Sequence, residues 1–106
     1  MTTNILGTEY QVNIKERQTD PKLDTRDGYT DLSVKKIVVA DVDKEKDDNS
    51  SEDVSFYLKD VIRHETIHAL FYESGMNDWA TDELLVDYLA IQIPKIYKVW
   101  KDLNAL

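Results

Sequence analysis

One long stretch with helical periodicity limits what this 106-residue chain can fold into. Between residues 51 and 75, apolar side chains recur on one broad arc at the 3.6-residue period of an α-helix; they are Val54, Leu58, Val61, Ile62, Ala69 and Tyr72. Ser50 and Ser51, followed by two acids, predict the beginning of this helix, and Gly75 predicts its end in a left-handed cap. Because so apolar a helix needs cover, we expect it to lie at the centre of the fold.

The first half of the chain, residues 1–50, is typical of β-strands and turns. Apolar and polar residues alternate loosely over residues 5–15, and Lys36–Ala40 is a β-branched apolar run followed by acids. Asp27-Gly28 predicts a turn, and a short strand is expected over residues 29–32. We therefore predict a small N-terminal sheet of two or three strands.

A second helical region is predicted over residues 79–104. Asp78 and Thr81 are both able to cap its beginning, and Pro94 should kink or break it because proline has no N–H to donate. The side chains expected to point inward are Leu84, Leu85, Tyr88, Leu89, Ile91 and Ile93. Beyond Pro94, one side carries Ile96, Val99, Trp100 and Leu103. The aromatic residues expected in the core are Tyr10, Trp79, Tyr88, Tyr97 and Trp100. Residues 1–106 thus read as one α+β domain.

Charge and composition exclude several function classes. The chain has 13 Lys and Arg against 21 Asp and Glu, a formal net charge of −8, which argues against binding nucleic acid or anionic lipid. We expect no membrane span and no secretory signal, because no long apolar run occurs. The absence of cysteine excludes disulfides and thiolate ligands and is compatible with a cytoplasmic location.

The sequence His64-Glu65-Thr66-Ile67-His68 is an H-E-x-x-H motif within the first predicted helix. Histidines four residues apart lie one turn apart on the same face, so both imidazoles are able to reach one metal ion. Glu65 lies ~100° around the helix, where it approaches a water on the metal instead of the metal and is suited to act as general base. The alternative is a histidine pair without a metal, packed in the core or on the surface.

A third metal ligand must be a carboxylate, because the chain has no cysteine and no further histidine. Glu83 and Asp87 are four residues apart on the second predicted helix, and an antiparallel return after Gly75 would bring both towards His64. We assign Glu83 as the third ligand and Asp87 as an acceptor for a histidine ring N–H, with Asp87 as the rival ligand. The alternative is a solvated acidic face at a helix beginning.

The charge pattern around the motif supports a bound cation. No Lys or Arg occurs from His64 to Pro94, and this segment contains the acids Glu65, Glu73, Asp78, Asp82, Glu83 and Asp87. Such a concentration of anions is destabilising unless a cation offsets it. A divalent metal would do so.

The motif with its downstream acids, Glu83-x-x-x-Asp87, resembles the gluzincin pattern of zinc metallopeptidases such as the thermolysin-like enzymes. The resemblance implies that His64, His68 and Glu83 bind Zn²⁺, that Glu65 is the general base and that Asp87 holds a ligand histidine. It also implies a minimal zincin-like domain, in which the small sheet precedes the H-E-x-x-H helix and the C-terminal helix.

Two narrower resemblances point the same way. The stretch from Glu83 to Pro94 looks like the second helix of ImmA/IrrE-type metallopeptidase-like proteins. Most of the chain resembles small proteins encoded by phages and prophages and described as zinc metallopeptidases; the matching stretches are Ile5-Leu6-Gly7-x-x-Tyr10, Arg63-His64-Glu65 and Trp79-Ala80 through Pro94-Lys95-Ile96. A phage-encoded protein of this kind would act in the host cytoplasm.

These features lead to two hypotheses about function. The first is a zinc peptidase that hydrolyses a peptide or protein substrate, in which the strand at residues 37–40 serves as an edge for an extended substrate. A tyrosine would stabilise the oxyanion, and the candidates left open are Tyr29, Tyr57, Tyr72 and Tyr88. The second is a non-catalytic module that zinc stabilises and that binds a host or phage protein. Oligomeric state is left open.

Overall fold

The computed structural model describes residues 1–45 and 54–106, with only the backbone at residues 54 and 55. The predicted helix beginning at Ser50 and Ser51 lies outside the described residues. In chain order the elements are β1 (Thr2–Ile5), β2 (Thr8–Lys15), β3 (Gly28–Asp31), β4 (Lys36–Ala40), α1 (Val54–Glu73), α2 (Asn77–Ala80) and α3 (Glu83–Asp102). Short 3-10 turns occupy Arg17–Thr19, Pro21–Leu23 and Val42–Glu45. The predicted α+β class is confirmed.

The sheet has four strands in the order β1-β2-β4-β3, so the expected two or three strands were too few. β2 and β4 are parallel neighbours, whereas β1 pairs with β2 and β3 pairs with β4 antiparallel. The additional strand arises because Leu6 and Gly7 both have positive φ, 49° and 95°, which turns the predicted strand over residues 5–15 into a hairpin.

The sheet is covered on both faces, which explains the apolar run in β4. One face packs Tyr10, Val12, Ile37 and Val39 against Val61 and Ala69 of α1. The other face packs Val38 and Ala40 with Tyr29, Leu23 and Val42, which come from β3 and from the turns beside it. Every residue of Ile37–Ala40 is therefore fully buried, as a strand of this composition predicts.

The C-terminal end of α1 is tied to the sheet. Glu73 accepts hydrogen bonds from Tyr10 Oη at 2.6 Å, Thr8 Oγ1 at 2.9 Å and Lys35 Nζ at 2.8 Å, and these partners lower its pKa to about 2. Gly75 follows with a φ of +76°, and the backbone N–H of Met76 donates to the carbonyl of Phe71. The predicted left-handed cap is confirmed.

The second helical region differs from the prediction at both its beginning and its proline. Neither Asp78 nor Thr81 caps the long helix; α2 is a single turn, and Asp82 caps α3 by accepting from the N–H of Leu85 at 3.0 Å. The helix then continues across Pro94 without a break.

The physical reason for this continuity is an Arg63 side chain that takes the place of the missing proline N–H. In an α-helix, residue 94 would donate to the carbonyl of Ala90. Here Arg63 Nε, from α1, donates to that carbonyl at 2.8 Å. Arg63 is half-buried in this position.

The buried face of α3 was also predicted incorrectly. Val86 and Ala90 are buried and pack on Ile67, because small side chains let the two helices approach closely. Leu85 and Leu89 are half-buried. The remaining expected core residues, Leu84, Tyr88, Ile91 and Ile93, are exposed, as are the aromatic residues Trp79, Tyr97 and Trp100.

Among the described residues, α1 and α3 are the two long helices, and neither is apolar enough over its length to cross a bilayer.

Candidate metal centre

Three donor atoms from two helices converge at one point. His64 Nε2 and His68 Nε2 are 3.0 Å apart, and the Glu83 carboxylate lies 3.0 Å from the first and 3.1 Å from the second. All three groups lie within 4.8 Å of one another. The structure thus brings together the two histidines of α1 and the glutamate that begins α3.

The other ring nitrogen of each histidine faces an acceptor, and this determines the tautomers. His68 Nδ1 lies 2.5 Å from the carbonyl of Ala80, and His64 Nδ1 lies 2.7 Å from Asp87 Oδ1. Because a carbonyl and a carboxylate only accept, we assign the ring proton of each neutral histidine to Nδ1. Both Nε2 lone pairs therefore point at the Glu83 carboxylate.

A cation between the three acceptors would offset their mutual repulsion. Tetrahedral Zn²⁺, with bonds of ~2.0–2.1 Å to nitrogen and oxygen, holds its ligand atoms about 3.3 Å apart. The separations of 3.0–3.1 Å are close to that value. Two imidazoles and one carboxylate are also a donor set typical of catalytic zinc, so the residues present fit the metal.

The short helix α2 sets the distance between the ligands. After the cap at Gly75, α2 packs against α1 and its last residue, Ala80, presents a carbonyl to His68. Asp82 then caps α3, which places Glu83 in the first turn and Asp87 one turn later. The single turn α2 is therefore enough to bring Glu83 back to His68.

Glu65 is buried beside this cluster, with 7% of its surface exposed. Thr30 Oγ1 donates to Glu65 Oε1 at 3.0 Å, while Oε2 lies 3.8 Å from His64 Nε2. Burial raises the pKa of Glu65, and Thr30 and the two histidines oppose this shift. Glu65 therefore stands outside the cluster of His64, His68 and Glu83 and presents one oxygen, Oε2, towards it.

Gly28 allows α1 to approach β3 closely at this position. A Cβ at residue 28 would lie 3.0 Å from Val61 Cγ1 and 3.2 Å from Glu65 Cγ. These are shorter than ordinary carbon–carbon contacts of ~3.5–4.0 Å. The turn glycine predicted from Asp27-Gly28 thus has a second role, in holding Glu65 against the sheet.

A cleft of about 860 Å³ opens over the donor atoms. One wall is β3 and the other is α1 with the beginning of α3; the lining includes Thr30, Leu32, Tyr57, His64, Glu65 and Glu83. β3 lies at the end of the strand order, whereas β4 is paired on both sides. The strand at residues 37–40 was expected to be the edge beside the site, and this expectation is wrong. The edge strand beside the site is β3, Gly28–Asp31.

The four candidate tyrosines differ in their surroundings. Tyr29 is buried and donates to Asp20, and Tyr57 donates to Asp27; in each case burial and the carboxylate raise the pKa to about 12. Tyr88 is exposed and does not line the cleft. Tyr29, Tyr57 and Tyr72 all line the cleft, Tyr29 with a buried side chain and the other two with partly exposed ones, so only Tyr88 leaves the list of candidates for stabilising an oxyanion.

Sequence reasoning missed three contributors, each distant along the chain from the motif. Thr30 is 35 residues from Glu65, and the carbonyl of Ala80 has no side-chain signal at all. Gly28 carried a turn signal that did not indicate packing against α1. Thr30 lies within the strand predicted over residues 29–32, and that prediction did not indicate its contact with Glu65.

Comparison of the chain with protein-family models, with curated proteins and with solved structures gave no match.

Proposed function

We propose that this chain is a minimal zincin-type peptidase, in which His64, His68 and Glu83 hold Zn²⁺ and Glu65 is the general base. The observation that supports the proposal best is the convergence of three lone-pair donors at the floor of a cleft, beside a buried carboxylate that does not join them. Structural zinc sites have no need for such a carboxylate or for an open cleft.

In this proposal the residues of the chain divide the chemistry among them. Zinc, when bound, would polarise a peptide carbonyl and lower the pKa of a water molecule. Glu65 Oε2 accepts the proton of the attacking water and later delivers it to the leaving amine. Thr30 holds the other oxygen, Oε1, and so directs Oε2 towards the donor cluster.

One edge of the sheet fits a peptide substrate. The outer side of β3 is the sheet edge next to the cleft, where an extended peptide is able to add as a strand.

Asp87 holds the Nδ1 proton of His64 and thereby keeps Nε2 free for the metal. The proposed location is the cytoplasm, of the host cell if the protein is phage-encoded, and the lack of cysteine agrees with it.

A second candidate is a non-catalytic module in which zinc only stabilises the fold. The observation that favours it is the exposure of Glu83 and Asp87, whose side chains are 69% and 64% accessible, so that Asp87 has room to shift and fill a fourth position. Metal binding to the folded state alone would stabilise it by about 2.7 kcal/mol at a hundredfold excess over Kd.

Glu65→Gln distinguishes the two candidates. We expect zinc content and zinc affinity to stay within a few-fold of the parent, while cleavage of a peptide library falls by about 10²–10⁴-fold. Glu9→Gln, an exposed glutamate on β2, is the matched control and should leave both quantities unchanged. Equal cleavage by the parent and the E65Q protein would refute Glu65 as the base.

The metal itself is tested separately. Elemental analysis of the purified protein should find one zinc per chain, and His64→Ala should abolish it. Zinc binding with no cleavage of any peptide by the parent would support the second candidate, and protein that binds no zinc would exclude both.

A further inference from the structure

The C-terminal half of α3 carries an apolar surface that residues 1–45 and 56–106 leave uncovered. Every residue from Ile93 to Leu106 is exposed. Its apolar side chains form what we call the stripe, which consists of Ile93, Ile96, Val99, Trp100 and Leu103. Trp100 is 45% exposed and Leu103 is 70% exposed, and because the five residues are three or four positions apart on the helix they form one apolar patch.

The stripe continues along α3 with the spacing of a coiled coil. Starting in the first half of the helix, alternating steps of four and three residues connect Leu85, Leu89, Gln92, Ile96, Val99 and Leu103. This is the 3.5-residue period that lets two helices pair along a common seam. Pro94 lies on the opposite side of the helix from the seam, where it does not obstruct a neighbour.

Charge along α3 is strongly polarised. Residues 82–92 contain Asp82, Glu83 and Asp87 and no basic residue, whereas residues 93–103 contain three lysines and one aspartate. Glu83 and Asp87 face the histidines, away from the seam, so the acidic surface available to the basic half is that of the rest of a second copy. The rest of the chain is also acidic, since the net charge is −8, so a second copy attracts this basic segment.

The stripe by itself supplies somewhat more than half of the area that such a pair needs. The exposed fractions of its five residues correspond to about 500 Å² per copy, and a stable interface buries roughly 800 Å² per partner. The half-buried Leu85, Leu89 and Gln92 lie along the same seam and supply further area. The Cα radius of gyration, 14.7 Å, exceeds the ~13 Å of a compact chain of this length, as expected if α3 extends beyond the body.

We propose that this chain forms a homodimer through antiparallel pairing of α3 helices along the stripe. The pair is centred near Pro94, so that residue 103 of one copy lies beside residue 85 of the other. The cleft lies on the side of α3 that faces α1, so the seam leaves Glu83 and Asp87 directed at the histidines.

Mass measurement with matched variants tests the interface. Sedimentation equilibrium should give twice the 12.3 kDa chain mass at micromolar concentration. Ile96→Glu, on the stripe, should weaken dimerisation at least about tenfold, equivalent to ~1.4 kcal/mol. Ile91→Glu replaces an isoleucine of similar exposure on the other side of α3 and should leave Kd unchanged. Circular dichroism should show the same helix content in both variants.

A parent protein that stays monomeric at about 100 μM, or equal weakening by both variants, would overturn the proposal. So would monomeric protein that binds phosphatidylglycerol vesicles through Ile96, because the occupant would then be a lipid surface.

Disulfide trapping tests the orientation, since the chain has no cysteine of its own. A mixture of the Leu85→Cys and Leu103→Cys proteins should form the mixed disulfide on mild oxidation. Leu103→Cys alone should not cross-link, because antiparallel pairing separates the two residues by about 27 Å. Efficient cross-linking of the L103C protein with itself would indicate parallel pairing and refute the antiparallel arrangement.

Discussion

The hydrogen bond from Arg63 to the carbonyl of Ala90 gives a quantitative test of how α3 passes through Pro94. Ala90 is 1% exposed, and Pro94 has no N–H to offer its carbonyl. Arg63→Met keeps most of the apolar stem of the side chain and removes the donor. The buried carbonyl then has neither partner, which should lower the free energy of unfolding by about 1–3 kcal/mol.

Pro94→Ala supplies the missing N–H and turns this into a double-mutant cycle. In the P94A background the Ala90 carbonyl has a helical partner, so Arg63→Met should cost less than about 1 kcal/mol. The difference between the two backgrounds is the coupling energy, and we expect it to be about 1–2 kcal/mol.

Urea denaturation of the metal-free protein, followed by circular dichroism, measures all four free energies. Arg26→Met, the same change at an exposed arginine, is the control and should alter the stability by less than about 0.5 kcal/mol. An equal cost of Arg63→Met in both backgrounds would refute the reasoning, because the arginine would then act through something other than the orphaned carbonyl.

Four other substitutions test the fold and the site. Because the pKa of Glu73 is lowered to about 2, its contribution to stability is present above the usual value of 4.5 and is lost as the pH falls towards 2. The unfolding free energy of the parent, measured as a function of pH, should therefore fall more steeply over this range than that of the Glu73→Gln protein. Asp82→Ala removes the cap of α3 and should cost about 1 kcal/mol in urea denaturation. Gly28→Ala forces a Cβ against α1 and should cost about 1–3 kcal/mol by the same measurement. Thr30→Val should reduce peptide cleavage while zinc affinity stays within a few-fold, because it releases Glu65 and no metal ligand.

Each of these predictions has a control or a result that would contradict it. Parallel pH profiles for the parent and the E73Q protein would exclude Glu73 as the titrating group. Asp82→Asn should retain most of the cap, and Thr30→Ser should retain the hydrogen bond to Glu65. A Gly28→Ala protein as stable as the parent would mean that α1 adjusts without cost. Loss of zinc from the T30V protein would place Thr30 in metal binding.

The local features of the fold were predictable because they depend on neighbouring residues. The strand Lys36–Ala40 was predicted with its bounds from five consecutive residues, and Gly75 from the end of a periodic segment. The hairpin at Leu6 was not, since a leucine with a positive φ carries no usual turn signal. The exposure of the second half of α3 was not predictable either, because an apolar helix face has the same sequence pattern whether its own chain or another molecule covers it.

The spacing of residues determined the composition of the candidate site. Histidines four residues apart on any helix face the same way, and Glu83 and Asp87 are the acids one turn apart within the second predicted helix, residues 79–104. Tertiary structure alone decided that these two groups meet, that Thr30 and Gly28 hold Glu65 in place, and that Arg63 carries α3 across Pro94. The physical reason is range. Periodicity and capping act within a few residues, whereas these contacts join segments 12 to 35 residues apart that come together only when the core packs.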